Sequence, residues 1–451
     1  MTGGDGSIQP GQSAEPVRLR RAVVLVGNPA RPYSRGLRIA RTLAGLGAAV
    51  EIAAVAADNA PETEREGDIV VRRYRPSGPY AALGASFGSS AAVTRPRGAR
   101  AVRIVRNLAA TVRRWLLWPH TVRGWWAALA RELPPADLYH ACGSLTIAAA
   151  LAARDRDAAA GRRSVVVYDA IDDVMGSNNV LGMPTLVRRW LGTRERRWAR
   201  AADARVTVND ALAEQLATRW RIAVRPTVVP NWPDAAAVAA VAAGGERPDL
   251  IRAAVGLSRS TRVVLFQGRL GPNLGLDEAT EAVLALPDSV LVLIGFGRWF
   301  ERSRARDRDP RYAGHHVTLP AVHPDELLRW TASADVALVP LPPVSANQRA
   351  ATPNKLWEAI AAGTPVVVGP GLPVMADLVR RDDLGVIADS LAPDDLQRAI
   401  ASVLDVPPDV AAARRERIAR VAADRYSWPV AAARYVEVVT AAVAASGREL
   451  P

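Results

Sequence analysis

The run from Ala334 to Val368 constrains the fold most. Ala334-Asp-Val-Ala-Leu-Val-Pro340 is short and apolar and reads as a buried strand. Pro353 then stands at a first helical position, Leu356, Ala359 and Ile360 follow at helical spacing, and Gly363 stops the helix. Pro365 to Val368 opens another strand. Strand, loop, helix and strand in that order form a unit of a parallel sheet. The start of such a helix offers free N–H groups and positive dipole to an anion. Lys355, in the first turn, is the only lysine of the chain, whose other cations are arginines. A compact ammonium suits a phosphate, although one lysine codon left over in an arginine-rich background would look the same. Glu358 lies one turn on and on a similar face, where a carboxylate can accept hydrogen bonds from a sugar diol.

A chain of 451 residues exceeds one ordinary core and points to two domains or slightly more. Its 49% hydrophobic and 23% charged residues are those of a soluble globular protein. The net charge of +13 implies attraction to nucleotide phosphates, an acidic lipid surface or nucleic acid. Cys142 is the single cysteine, which excludes an internal disulfide framework and a Cys-based metal site, so no metal is expected. Residues 1–16, rich in Gly, Ser and Pro, read as a disordered leader and not a signal peptide. No apolar run is long enough to cross a bilayer, and a cytoplasmic enzyme is expected.

In the first half, Ala22 to Gly27 precedes the loop Asn28 to Gly36, a helix with Leu37, Ala40, Leu43 and Ala44, and a strand from Val50 to Val55. In such a βαβ unit ligands approach the loop at the strand's C-terminal end. Arg31, Ser34 and Gly36 are its candidates, and an ordinary turn with a helix cap at Ser34 is the other reading. Ala136 to His140 reads as a strand, Leu145 to Ala153 as a helix, and Ser164 to Tyr168 as a strand running into Asp169-Ala-Ile-Asp-Asp173. His140, Asp169, Asp172 and Asp173 are thus chemical candidates; a satisfied strand-end histidine and helix-capping aspartates are the plainer readings.

Between Thr94 and Arg131, nine arginines and no acid are interleaved with Trp115, Trp118, Trp125 and Trp126. An amphipathic helix of this composition can lie on an anionic membrane, at the inner face of the cell membrane. An ordinary domain helix is the alternative, and no nucleic-acid motif accompanies the segment. Thr227 to Asp234 ends the first domain, and an Ala/Gly-rich stretch follows. The second half starts with Arg262 to Phe266 and Gln267-Gly-Arg-Leu270, where Gly268 lets backbone approach a ligand and Arg269 can clamp a diphosphate. Ser289 to Ile294 runs into Gly295-Phe296-Gly297, Pro324 to Ser333 reads as a helix, Leu378 to Leu404 as a strand and helix, and Trp428 to Ala445 as a last helix.

Taken in order, Val229-Pro-Asn-Trp-Pro-Asp234, Phe266-Gln-Gly-Arg-Leu270, Leu293-Ile-Gly-Phe-Gly297 and Pro353-Asn-Lys-Leu-Trp-Glu-Ala-Ile-Ala-Ala-Gly-Thr-Pro365 resemble the family-4 retaining glycosyltransferases. The last segment is the specific one, in a Pro-Asn-Lys-Leu-x-Glu branch. The resemblance implies an α/β protein of two Rossmann-like parallel-sheet domains facing across a cleft, the GT-B type. Residues 17–230 would form the acceptor side, 231–260 a linker and 261–427 the nucleotide-sugar domain, with 428–451 packing back on the first. Arg269 and Lys355 would neutralise the diphosphate of a UDP- or GDP-linked sugar, without metal or cofactor, and Glu358 would bind the ribose. Gly268, Gly295, Phe296, Asn354 and Leu356 would line the donor, His140 would lie near the transferred sugar, and Ser34, Gly36, Asp172 and Asp173 would face a glycan, lipid-linked or small-molecule acceptor. The sequence departs from the family at Ala350, where a Glu usually holds the sugar, and at Leu274, Cys142 and Ile171; sugar recognition would then fall to Asn347, Gln348 or Arg349. An epimerase or hydrolase using Asp172 and Asp173 and a non-catalytic donor-binding subunit share the pattern.

Overall fold

The computed structural model describes residues 18–30, 33–56, 60–75, 129–177, 180, 183–234 and 247–447. The chain folds around two sheets. In the first, β1 (Arg21–Val26) and β2 (Ala49–Val55) are joined by the helix Ser34–Gly45, and the hairpin of β3 (Thr63–Glu66) and β4 (Ile69–Tyr74) follows. Beyond it come β5 (Leu138–Cys142), β6 (Val165–Asp169), β7 (Ala204–Thr207) and β8 (Thr227–Val228). The spatial order is β3-β4-β2-β1-β5-β6-β7-β8, parallel apart from the β3–β4 pair. The second sheet contains β9 (Arg262–Arg269), β10 (Ser289–Phe296), β11 (His316–Pro320), β12 (Val336–Val339), β13 (Val366–Val368) and β14 (Gly385–Ile387). Its order is β11-β10-β9-β12-β13-β14, and every pair is parallel.

Continuous apolar strands make this architecture, because helices cover both faces of a parallel sheet and leave no wet side for alternation. Both β5 and β6 are buried at every position. Strand order reverses next to β1 in the first sheet, where the chain leaves for β5, and next to β9 in the second, where it leaves for β12. Ligands of open α/β sheets lie outside the carboxyl ends of strands at such switch points.

The last helix, Trp428–Ala445, leaves the second domain and packs on the first: Trp428 Nε1 donates to Thr42 Oγ1 at 3.0 Å and Tyr435 reaches β5. An aromatic cluster holds the crossing. Trp232 lies 6.0 Å from Trp357 and 5.4 Å from Tyr426, ring centre to ring centre.

Several local expectations change. Leu378 lies in a helix, Pro373–Asp382, and the strand comes after it, because Pro373 starts the helix and Asp383 takes the left-handed cap that ends it. The helix Leu250–Val255 forms inside the expected linker 231–260 and buries Ile251 beneath the second sheet. The β3–β4 hairpin and the helices Phe300–Arg306 and Pro408–Arg425 have no counterpart in the sequence reading. Of the Arg/Trp segment, 94–128 lie outside the described residues, as does Arg31. No helix among the described residues is long and apolar enough to cross a membrane.

Candidate functional site

The second switch point brings the start of the helix Asn354–Ala361 against the ends of β9 and β10. Register pairs Gly268 with Gly295 and Arg269 with Phe296 at the ends of β9 and β10. Only glycine fits there: Gly268 sits at φ +105°, and a Cβ on Gly295 would come within 1.8 Å of the Gly268 carbonyl oxygen. Lys355 passes over this floor, its Cε 4.0 Å from the point where a side chain on Gly268 would begin, and its Nζ stands 3.5 Å from the centre of the Phe266 ring. That contact is a cation–π interaction.

Glu358 is oriented by Gln267, whose Nε2 donates to Oε2 at 2.6 Å; Thr331 holds the other end of that amide at 2.7 Å. Burial pushes the Lys355 amine down to about 7, opposed by Glu358 and reinforced by Arg269. The same burial pushes the Glu358 carboxyl up, opposed by the Gln267 hydrogen bond, Arg38 and Lys355. Among the described residues no carboxylate stands within ion-pair distance of Lys355 or Arg269. Phe296 leaves 49% of its surface exposed beside them. This combination can meet a dianionic group with two cations, a diol with a fixed carboxylate and a planar ring with an aromatic face.

The first domain closes over the site. Arg38 Nη1 donates to Asn231 Oδ1 at 2.8 Å, and Asn231 Nδ2 donates to Asn354 Oδ1 at 2.6 Å. Asn209 Nδ2 donates to the Ala350 carbonyl at 2.8 Å, and Asn347 both donates to Asp172 and accepts from the Asp173 backbone N–H. Arg38, Asn231, Asn209 and Gln267 have no place in the sequence reading of the donor site. Only the Pro-Asn-Trp-Pro and Gln-Gly-Arg motifs carried a signal for two of them.

Other candidates occupy different positions from those expected. Leu356 is wholly buried, so only its backbone can face a ligand. Ser34 begins the first helix without a side-chain cap bond, the capping position being Tyr33. Gly36 is a packing glycine: a Cβ there would meet the Tyr33 ring at 2.7 Å. Asp173 is committed. It caps the turn Val174–Gly176, pairs with Arg219 at 2.5 Å and bonds Gln215, which removes it as a free acid or base. Ala350 belongs to an apolar cluster of the first domain that includes Leu212, where a glutamate would bury a charge. Arg349 spends one guanidinium nitrogen on the Pro343 carbonyl.

His140 matches its plainer reading, a satisfied strand-end histidine, and not a place beside the sugar. It has no exposed surface, and both ring nitrogens are engaged: Nε2 lies 3.1 Å from Asp169 Oδ2 and Nδ1 2.9 Å from the Tyr435 hydroxyl. A carboxylate only accepts, so Nε2 carries the hydrogen and Nδ1 accepts from Tyr435. Arg35 grips Asp169 with two bonds, Nε at 2.6 Å and Nη2 at 2.9 Å, and spends Nη1 on the Val229 carbonyl. Arg35 and His140 together hold Asp169 down at about 2 against its burial. The ligand atoms of His140, Cys142 and Asp169 lie within 4.8 Å of one another. A metal would need the thiolate and a free carboxylate; burial pushes the Cys142 thiol up, and Arg35 occupies both Asp169 oxygens. The group is a buried rivet.

Each domain matches a family model. Residues 37–236 match the Glycosyltransferase Family 4 domain and residues 249–424 the Glycosyl transferases group 1 domain. Sucrose-phosphate synthase from Thermosynechococcus elongatus superposes with TM-score 0.64 at 15% identity, covering 94% of this chain and all of the other. Anabaena HepE in complex with UDP and glucose gives 0.62 at 14%, covering 93% and 99%. The two models fall one on each domain, and the solved structures, at 15% identity or less, share the two-domain fold of this chain. By sequence it is 35% identical to a D-inositol 3-phosphate glycosyltransferase of Segniliparus rotundus over 192 residues, and 33% identical to that of Mycolicibacterium gilvum over 165. These matches span 40% and 35% of the respective relatives and the same shares of this chain.

Proposed function

We propose that the protein transfers a sugar from a nucleoside diphosphate donor, UDP- or GDP-linked, to the hydroxyl of a glycan, lipid-linked or small-molecule acceptor, with retention. The observation that carries this reading is the pair Arg269 and Lys355, without an ion-pair carboxylate among the described residues, beside the Gln267-oriented Glu358 at the second switch point. The donor breaks between the anomeric carbon and the diphosphate oxygen, the acceptor oxygen takes that carbon, and its proton leaves with the diphosphate. Negative charge grows on the departing oxygens, and two fixed cations stabilise it there without a metal. Glu358 accepts from the ribose hydroxyls, and Phe296 lies against the base. His140, through Asp169, positions the first domain and does not touch the sugar. The relatives named for inositol 3-phosphate glycosyl transfer and the sugar-phosphate synthases of the same fold support an acceptor that is itself a polar, sugar-like molecule.

Calorimetric titration with UDP and GDP tests the reading. Lys355→Ala and Glu358→Ala are expected to weaken nucleotide binding by about tenfold to a hundredfold each, the worth of a charge-assisted hydrogen bond. Unchanged affinity in both variants would overturn the donor-site assignment.

A further inference from the structure

We propose that a second anion site, separate from the donor cluster, lies between the helices Thr185–Ala201 and Asp210–Trp220 and takes a phosphomonoester or diphosphate group. A cavity of about 560 Å³ opens there, lined by Arg188, Arg189, Arg196, Arg219 and Arg221 together with Met175. Arg219 is neutralised by Asp173. Among the described residues no carboxylate pairs with Arg188, Arg189, Arg196 or Arg221. Glu195, the one acid of the Thr185–Ala201 helix, turns inward to the Tyr168 hydroxyl at 3.1 Å. Burial pushes that carboxyl up to about 7, which leaves it a weak counter-charge.

Two lining arginines point to an occupant. The Nε–H groups of Arg196 and Arg219 are buried and have no acceptor among the described residues. Buried donors without acceptors are rare and costly, and a phosphate brings several acceptor oxygens at once. Four unpaired guanidinium groups around one cavity also repel each other, a penalty that a multiply charged anion reverses. No aromatic ring stands among the described lining residues, so the group recognised is the phosphate and not a base. The occupant is either a soluble phosphorylated molecule or an anionic lipid headgroup, which share this chemistry.

Calorimetry with inorganic pyrophosphate on the full chain tests the site. Arg188→Gln/Arg189→Gln/Arg196→Gln is compared with the wild type and with Arg269→Ala/Lys355→Ala. The wild type is expected to show two classes of site; the triple variant loses one by at least tenfold and keeps the other, and the donor-side variant shows the reverse. A triple variant that titrates like the wild type overturns the second site, whereas a donor-side variant that does so counts against the donor reading alone. Thermal melts verify folding, and the double variant Arg188→Gln/Arg189→Gln, both exposed, replaces the triple if that melts early. Sedimentation with phosphatidylglycerol vesicles then separates the sources. Weaker vesicle binding by the triple variant than by the wild type assigns a lipid headgroup, and equal vesicle binding with lost pyrophosphate binding assigns a soluble phosphate.

Discussion

Both sheets carry a cation, a carboxylate and a third polar group near a switch point, yet the two clusters are built for opposite ends. In the first domain Arg35, Asp169 and His140 satisfy one another, and Tyr435 of the last helix completes the set with no surface left for a ligand. In the second, Lys355 and Arg269 have no carboxylate in ion-pair reach among the described residues, and the hydrogen bond that fixes Glu358 comes from a neutral amide. Charges that are completed from within hold a fold together; charges left incomplete await a partner. The difference separates a structural rivet from a site more sharply than residue type does.

The largest expected effect tests the rivet. Arg35→Met strands a buried carboxylate, and we expect a loss of ~3–5 kcal/mol in urea unfolding. The double variant Arg35→Met/Asp169→Leu removes both charges and should lose less than the single one. The pH sign is fixed by Asp169, whose carboxyl is held down at about 2 in the fold and titrates near ~3.9 when unfolded. Its contribution is present in full above the unfolded value and disappears as pH falls through about 2. A single variant that loses under ~1 kcal/mol, within the range of a surface pair, would break the comparison.

Next in size is the donor side. The Lys355 amine is held at about 7 in the free protein, and a diphosphate binds its charged form. UDP affinity is therefore level below pH 7 and falls above it, by up to about tenfold, or ~1.4 kcal/mol, per unit. Proton uptake on binding at pH 8, read by calorimetry in buffers of different ionisation heat, checks the sign. Lys355→Arg keeps its charge at every such pH and should flatten the profile. A wild-type profile flat from pH 6 to 9 would place the lysine outside the diphosphate contact.

How far the sequence revealed these clusters follows from chain distance. Lys355 and Glu358 lie one turn apart on a helix announced by Pro353 and stopped by Gly363, so local spacing disclosed them. The pairing of Gly268 with Gly295 was legible as two strand-end glycines, because a parallel sheet aligns such ends. For His140 the sequence left a satisfied histidine and a sugar contact both open, since its partners are distant: Asp169 is 29 residues away and Tyr435 is 295. No local pattern distinguishes a histidine closed in by a helix from the far end of the chain from one facing a cleft. Arg38 was missed for the same reason, as it meets the second domain through Asn231, 193 residues on. Asp173 was a site candidate with a capping role as its plainer reading; it caps the turn Val174–Gly176, and what the sequence hid is that Arg219 and Gln215 reach it from a later helix.

The smallest effect concerns the seam between the clusters. Asn347 is the side chain of the second domain that grips the loop after β6, donating to Asp172 at 3.0 Å and accepting from the Asp173 N–H at 2.8 Å. Neither bond is needed by either core, so Asn347→Ala is expected to cost at most ~1 kcal/mol of stability. What it should change is the spacing of the domains: without that grip the cleft opens more freely, and the radius of gyration in small-angle scattering rises. Saturating UDP, bound to Lys355 and Glu358 in one domain and approached by Arg38 from the other, should draw the variant back toward the wild-type value. A variant whose scattering matches the wild type with and without UDP would mean that the aromatic crossing at Trp232, Trp357 and Tyr426 and the Asn209 bond to the Ala350 carbonyl set the closure, and that the Asn347 grip adds nothing to it.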